Sequence, residues 1–209
     1  GHRPRAHPIR FTEAAWHDGA MRLLPGPAEG AIAVTVTSLE MTSPSDLVPV
    51  STTPESTTWR RIDADKASVS SDFYRRVGGP WHWVDRRDWS PSQWQQWTDR
   101  PDHHLMVCTH AGADAGYAEL DQQQDGRVEI AYFGLLPEAI GHGIGRWWLA
   151  EVISEAWSLP GTSRVWVHTC TLDGPAAMAT YTGRGLRPIA REVEWRMPDT
   201  HTAAPRVAP

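Results

Sequence analysis

The stretch Phe133-Gly134-Leu135-Leu136-Pro137-Glu138-Ala139-Ile140-Gly141-His142-Gly143-Ile144-Gly145-Arg146 decides the fold. It joins a strand, residues 127–136, to a long helix, residues 143–158. Along that helix Ile144, Trp148, Val152 and Ala156 line one side, with Leu149 and Ile153 beside them, a broad apolar stripe that must pack on a sheet. The glycines Gly141, Gly143 and Gly145 let the backbone turn tightly and bring its N–H groups close to an anion. The helix start adds about half a unit of positive charge. The loop reads as a phosphate cradle, although a glycine triplet alone also suits a plain strand-to-helix turn. A dinucleotide loop wants G-x-G-x-x-G; here the third glycine comes one residue early and Arg146 stands in its place. The G-K-[ST] of a P-loop is absent.

Working outward, residues 104–109 and 115–121 read as strands, with 122–126 as a hairpin turn into the strand 127–136. Downstream come a strand at 164–169, a helix at 174–182 and a last strand at 191–197. Upstream, the β-branched alternation of residues 34–41 reads as a strand and the Ser, Thr and Pro rich residues 42–58 as a loop. Asp63 offers an N-cap for a helix carrying Val69, Phe73 and Val77, and Gly78-Gly79-Pro80 stops it. Ser90-Pro91-Ser92-Gln93 is a capping box opening a short helix with Trp94 and Trp97. The order is mixed α/β, an antiparallel meander feeding a strand–loop–helix–strand unit. Residues 1–30 read as a loosely ordered arm with a short helix near 12–23, residues 31–198 as one domain, and 199–209 as a tail.

At 209 residues and 40% hydrophobic, the chain has enough apolar material for a core. A net charge of −5 argues against a nucleic-acid binder and favours cationic partners. Cys108 and Cys170 are far apart without C-x-x-C partners, so no zinc cluster is expected, and nothing requires a disulfide between them. No signal-like apolar segment opens the sequence and no run of about 18 apolar residues occurs, so a cytoplasmic protein outside the membrane is expected. Lys66 is the sole lysine, a skew toward arginine that suits a GC-rich genome.

Pro137-Glu138-Ala139-Ile140-Gly141-His142-Gly143-Ile144-Gly145 resembles the P-E-x-R-G-x-G-I-G signature of the GNAT superfamily of N-acetyltransferases, with Ile140 in place of the usual Arg or Gln. Asp173-Gly174-Pro175-Ala176 with Tyr181-Thr182-Gly183-Arg184-Gly185-Leu186 is similar to the family's N-x-x-A…Y-x-x-x-G-F ending, with Asp for Asn and Leu for Phe. The likeness covers roughly residues 104–197, with a looser match of element order from Val34. It implies a GNAT-like, mostly antiparallel central sheet of six to seven strands, flanked by helices and splayed at the cofactor site. It implies acetyl-coenzyme A as cofactor, no metal, a small-molecule amine as acceptor, and leaves a homodimer open.

Acetyl transfer to an amine needs a deprotonated amine, a polarised thioester carbonyl and a protonated leaving thiolate. By resemblance, the backbone of Gly141, His142, Gly143, Ile144, Gly145 and Arg146 binds the pyrophosphate, and Asp173 stands at the family's Asn position. Leu135 and Leu136 supply backbone groups to the pantetheine arm, one N–H polarising the carbonyl, and Tyr181 protonates the sulfur. Glu129 matches a glutamate that some members use as base. Alternation puts it on the strand face of Ala131, Phe133 and Leu135, where its pKa should rise. Glu119 is the rival base, and His168 either relays a proton or is a structural histidine.

Of twelve tryptophans, five fall between Trp81 and Trp97, in the segment that borders the acceptor site in the family. Trp81 and Trp83, with Asp85 and Asp88, suit reception of a cationic amine, or the tryptophans pack the core; Trp94 and Trp97 read as packing. A coenzyme A sensor without turnover, or transfer of a larger acyl group, are the alternatives.

Overall fold

A computed structural model describes residues 28–197; the arm proposed for residues 1–30 and the tail lie almost wholly outside the described residues. The elements run β1 (Ile32–Met41), β2 (Thr57–Ile62), α1 (Lys66–Gly78), α2 (Pro91–Thr98), β3 (His103–His110), β4 (Ala113–Gln122), β5 (Arg127–Leu135), α3 (Ile144–Ser158), β6 (Arg164–Cys170), α4 (Ala177–Thr182) and β7 (Arg187–Arg196). They form one seven-stranded sheet in the order β2-β3-β4-β5-β6-β1-β7. Every neighbouring pair is antiparallel except β5 and β6. The mixed, mostly antiparallel sheet between helices is therefore as the sequence implies.

Two cores cover the two sheet faces. On one, Trp148, Leu149, Val152, Ile153 and Ala156 of α3 pack on Leu120, Val128, Ile130, Val165 and Val167. Burying each large side chain there contributes about 1.5–3 kcal/mol. On the other, Phe73, Tyr74 and Val77 of α1 and Trp94 of α2 pack on Leu105, Val107 and Tyr117. The capping box at the start of α2 is present, Ser90 Oγ accepting from Gln93 N and the Gln93 side chain accepting from Ser90 N.

Two expectations are corrected. Residues 57–62 form β2, a sheet-edge strand, not the end of a loop before the first helix. Its Thr-Thr-Trp-Arg-Arg-Ile carries the charges that suit an edge and conceal it as a strand. The first helix is preceded by Asp65 in the left-handed region without a side-chain cap, so Asp63 is not its N-cap. β1, the strand read at 34–41, lies between β6 and β7 and pairs antiparallel with both.

The decisive feature is how β5 and β6 part. Their parallel ladder has only three rungs, ending at Glu129↔Trp166. Beyond it the strands diverge, β5 staying with β4 and β6 with β1. Among the described residues no helix is long and apolar enough to cross a membrane, and both cysteines are free thiols.

Candidate active site

The cleft opens where β5 and β6 separate, and the backbone on its β5 side is specific about which groups face it. Leu136 N donates to Ala115 O at 2.8 Å, and Leu136 O accepts from Ala139 N at 2.9 Å. The Leu136 N–H is therefore spent within the fold and is not the donor that could polarise a thioester carbonyl, while its C=O keeps room for one more donor. In an antiparallel ladder successive residues present their N–H and C=O to opposite sides. Leu135, one residue earlier and opposite Gly116, thus turns its N–H and C=O toward the gap with β6.

Above this edge lies the glycine loop. Gly141 and Gly143 take φ of 91° and 75°, the left-handed region that favours glycine, and a Cβ at either would meet nothing within 4 Å. Gly143 is the N-cap of α3 and no side chain closes the helix's first turn. Ile144 is fully buried and pins the loop to the core, while His142 and Arg146 are exposed beside it. Open space, uncapped N–H groups and the helix dipole are what a pyrophosphate requires, so the residues present fit the group the motif implies. The His142 ring lies 5.4 Å from that of His110, at the end of β3. Ile140, the departure from the family pattern, is half-exposed.

Tyr181 of α4 is buried on the α3 side, its ring 6.1 Å from Phe133. Burial and the nearby Asp173 push its hydroxyl well above the usual tyrosine value, so it carries its proton at neutral pH. Asp173 Oδ2 accepts from Cys170 N at 2.8 Å and from the Thr169 hydroxyl, closing the turn after β6.

Glu129 is on the other side of the sheet, for a reason strand alternation does not reveal. The β4–β5 register shifts after Glu119, which pairs with Tyr132 while Leu120 pairs with Ile130. Ala131 is thus an extra residue, a β-bulge that exchanges the faces of everything after it. Val128, Ile130, Phe133 and Leu135 pack with the α3 core, whereas Tyr132 packs with the α1 core. Glu129 does not share a face with Phe133 and Leu135, and the expected apolar surroundings are not there. Its Oε2 accepts from Gln123 Nε2 at 2.8 Å, and its Oε1 lies 3.4 Å from His168 Nδ1 on β6. That contact raises the His168 pKa above 6.5 against the effect of partial burial, with Asp173 and Asp85 adding to the rise.

Glu119 is fully buried and leaves no oxygen for a substrate. It accepts from Trp97 Nε1 at 2.6 Å, Arg86 Nη1 at 3.3 Å and the Ser70 hydroxyl, with His103 Nε2 at 3.0 Å. Burial alone would raise its pKa; His103, Arg86 and Ser70 together hold it down at about 2. This is a structural anion.

In the tryptophan segment, Trp83 packs in the second core, its ring 4.9 Å from Tyr132 and 5.6 Å from Tyr74. Trp81 reaches across the cleft: a Cβ on Gly174 would lie 3.2 Å from its ring. Trp94 is buried and Trp97 bonds Glu119, both as packing residues. Asp85 accepts from the Tyr74 hydroxyl at 2.8 Å and from the Tyr132 hydroxyl. Tyr132 and Arg86 carry no sequence signal; the bulge hides the face of the first, and Arg86 reads as one charge among several. Among the described residues no group of three or more His, Cys, Asp or Glu is placed to hold a metal ion.

Comparison with known proteins agrees with this geometry. The model of the acetyltransferase (GNAT) family matches residues 69–186. No curated protein matches the chain by sequence. A GCN5-related N-acetyltransferase from Kribbella flavida superposes with a TM-score of 0.58 at 21% identity, covering 82% of this chain and 62% of its own. One from Sphaerobacter thermophilus gives 0.61 at 18%, covering 79% and 52%. A putative GNAT acetyltransferase from Novosphingobium aromaticivorans gives 0.56 at 12%, covering 82% and 68%. These are likenesses of fold, and the chain spans less than two-thirds of the first two.

Proposed function

Because the chain belongs to the GNAT acetyltransferase family, we propose that it moves an acetyl group from acetyl-coenzyme A to the primary amine of a cationic small molecule. The observation that carries this reading is the edge of β5: Leu135 presents free backbone groups to the β5–β6 gap, directly below a glycine loop and an uncapped helix start. The loop N–H groups of residues 141–146 would hold the pyrophosphate, and Leu135 the arm that follows it. When bound, the cofactor supplies an acetyl thioester.

The chain's own groups divide the proton work between the two sheet faces. On the α3 side the Tyr181 hydroxyl keeps its proton at neutral pH and is suited to give it to a departing thiolate. On the other side Glu129 and His168 form a carboxylate–imidazole pair 3.4 Å apart, suited to take a proton from an incoming ammonium. The Leu135 N–H, turned toward the gap, is suited to donate to a developing oxyanion. The acceptor would enter between Trp83, Tyr132 and His168, from the side opposite the donor.

The departures from the family pattern fit a working site. Leu186 is a buried core residue, and Asp173 performs a turn-closing task. The test is thiol release from acetyl-coenzyme A across an amine library, alongside cofactor binding by calorimetry. Thiol release dependent on an amine supports the reading. Tight binding without release from any amine replaces it with a coenzyme A sensor, and release only from longer acyl thioesters replaces acetyl with a larger acyl group.

A further inference from the structure

Asp85 is an exposed carboxylate held still. Its side chain is 63% exposed, yet each oxygen accepts a tyrosine hydroxyl, Oδ1 from Tyr74 at 2.8 Å and Oδ2 from Tyr132. A carboxylate oxygen has room for a second donor, so both can still receive one from the cleft. The Trp83 ring stands against both tyrosines and makes an aromatic wall beside it.

Three cations near Asp85 have other carboxylate partners. Arg86 Nη1 bonds the buried Glu119, and its guanidinium is packed over the rings of Trp89, Trp97 and Tyr132; it approaches Asp85 only to 4.0 Å. Arg196 is paired with Glu194 at 2.8 Å. His168 is paired with Glu129. Each of these three cations thus has a closer carboxylate than Asp85, which of the three only Arg86 approaches, at 4.0 Å. The bulge at Ala131 puts Tyr132 on the same side of β5 as Glu129, so Asp85 and the Glu129–His168 pair face one cleft. Across the bulge, Tyr132 and Glu129 face Glu119 and Asp121, two residues apart on β4, so they are separated by roughly 7 Å of strand rise.

We propose that Asp85 anchors a second cationic group of the acceptor, which makes the substrate class aliphatic diamines or polyamines, the reacting amine lying at Glu129–His168 and the distal ammonium at Asp85. This rests on the reading of the chain as an amine acetyltransferase. The distal ammonium donates to the free sites on the two Asp85 oxygens and lies against Trp83. It does not react, so its contribution falls on binding.

The experiment compares thiol release with a series of aliphatic diamines and with monoamines of matching carbon length, for the intact chain, Asp85→Asn and Asp85→Glu. The intact chain is expected to favour the best diamine over its monoamine by roughly two- to fivefold in kcat/KM, as one partly screened ion pair allows. Asp85→Asn, which keeps an acceptor for a tyrosine hydroxyl, should bring that ratio to near one, mostly through KM, and Asp85→Glu should restore part of it. Because the ratio is taken within each variant, a general loss of folding or turnover cancels. A ratio near one in the intact chain, or one unchanged in Asp85→Asn, overturns the inference while amine acetylation stands. Absence of thiol release with every amine overturns amine acetylation itself.

Discussion

Glu129 Oε1 lies 3.4 Å from His168 Nδ1, one residue on each of the two strands that part just beyond Glu129 and Trp166. The pair spans the mouth of the splay, so its protonation responds to the cleft. Glu129 raises the His168 pKa above 6.5 in the folded chain. The pair's contribution to stability is therefore full below 6.5 and is lost as pH rises through the folded value; with His168 half-exposed, solvent screening keeps that contribution small. Glu129→Gln should bring the His168 titration back toward 6.5, seen in its imidazole proton resonances. It should also lower kcat/KM by about 10²-fold, the usual weight of one acid–base group. A pH–rate profile whose lower inflection does not move in this variant would detach the pair from catalysis.

Tyr181 faces the opposite side of the sheet, against Phe133. Tyr181→Phe keeps the ring and its packing and removes only the hydroxyl. Turnover is expected to fall by about 10²-fold while coenzyme A affinity stays within about twofold. Equal turnover in the variant would remove Tyr181 from the acid role, and a matching loss of cofactor affinity would make it a binding residue.

The two glycine features are distinguishable by what they damage. Gly185 has φ of 100°, and a Cβ there would sit 2.0 Å from the carbonyl oxygen of Asp46. No side chain fits without moving the backbone of another segment, so Gly185→Ala should destabilise the fold by about 3 kcal/mol or more. Gly143 also has a left-handed φ, 75°, yet a Cβ there meets open space. Gly143→Ala should cost about 1–2 kcal/mol from the backbone alone and weaken coenzyme A binding more than it lowers stability. Denaturant unfolding and calorimetric titration on both variants check the contrast. The fixed spacing of Tyr181 and Gly185 in the sequence thus joins a hydroxyl at the cleft to a steric requirement of the turn after α4.

What the sequence disclosed follows from which signals are local. The loop from Pro137 to Gly145, the α3 stripe and the Ser90 capping box are set by neighbours in the chain, and all three form as read. Strand β2 is not legible in the sequence because an edge strand with Arg60 and Arg61 has little apolar alternation to show. The place of β1 between β6 and β7 is a long-range pairing that no local pattern encodes. One extra residue, Ala131, sets the face of Glu129: simple alternation groups it with Phe133 and Leu135, and the bulge puts it with Tyr132 and His168. Between Leu135 and Leu136, a single backbone hydrogen bond, Leu136 N–H to Ala115 O, decides which N–H turns toward the gap, and spacing does not show it. The anchoring of Asp85 by Tyr74 and Tyr132 joins three separate elements, which spacing along the chain does not reveal.

Glu119, the rival base, separates a structural from a catalytic carboxylate. It is fully buried and bonded to Trp97, Arg86, Ser70 and His103, and its pKa of about 2 lies below the ordinary 4.5. A depressed folded value means that the network stabilises the fold above pH 4.5 and that this contribution is lost as pH falls toward about 2. Glu119→Gln removes the charge and leaves Arg86 buried without its carboxylate, a change expected to cost about 3–5 kcal/mol. Denaturant unfolding at neutral pH should show that loss. A stability profile between pH 5 and about 2 should fall more steeply for the intact chain than for the variant. The Trp97 indole, which donates to Glu119 at 2.6 Å, offers a fluorescence report of the same titration. In the folded fraction, kcat with a given amine should stay within about twofold; a 10²-fold fall in kcat with stability intact would instead make Glu119 the base and leave Glu129 and His168 a structural pair.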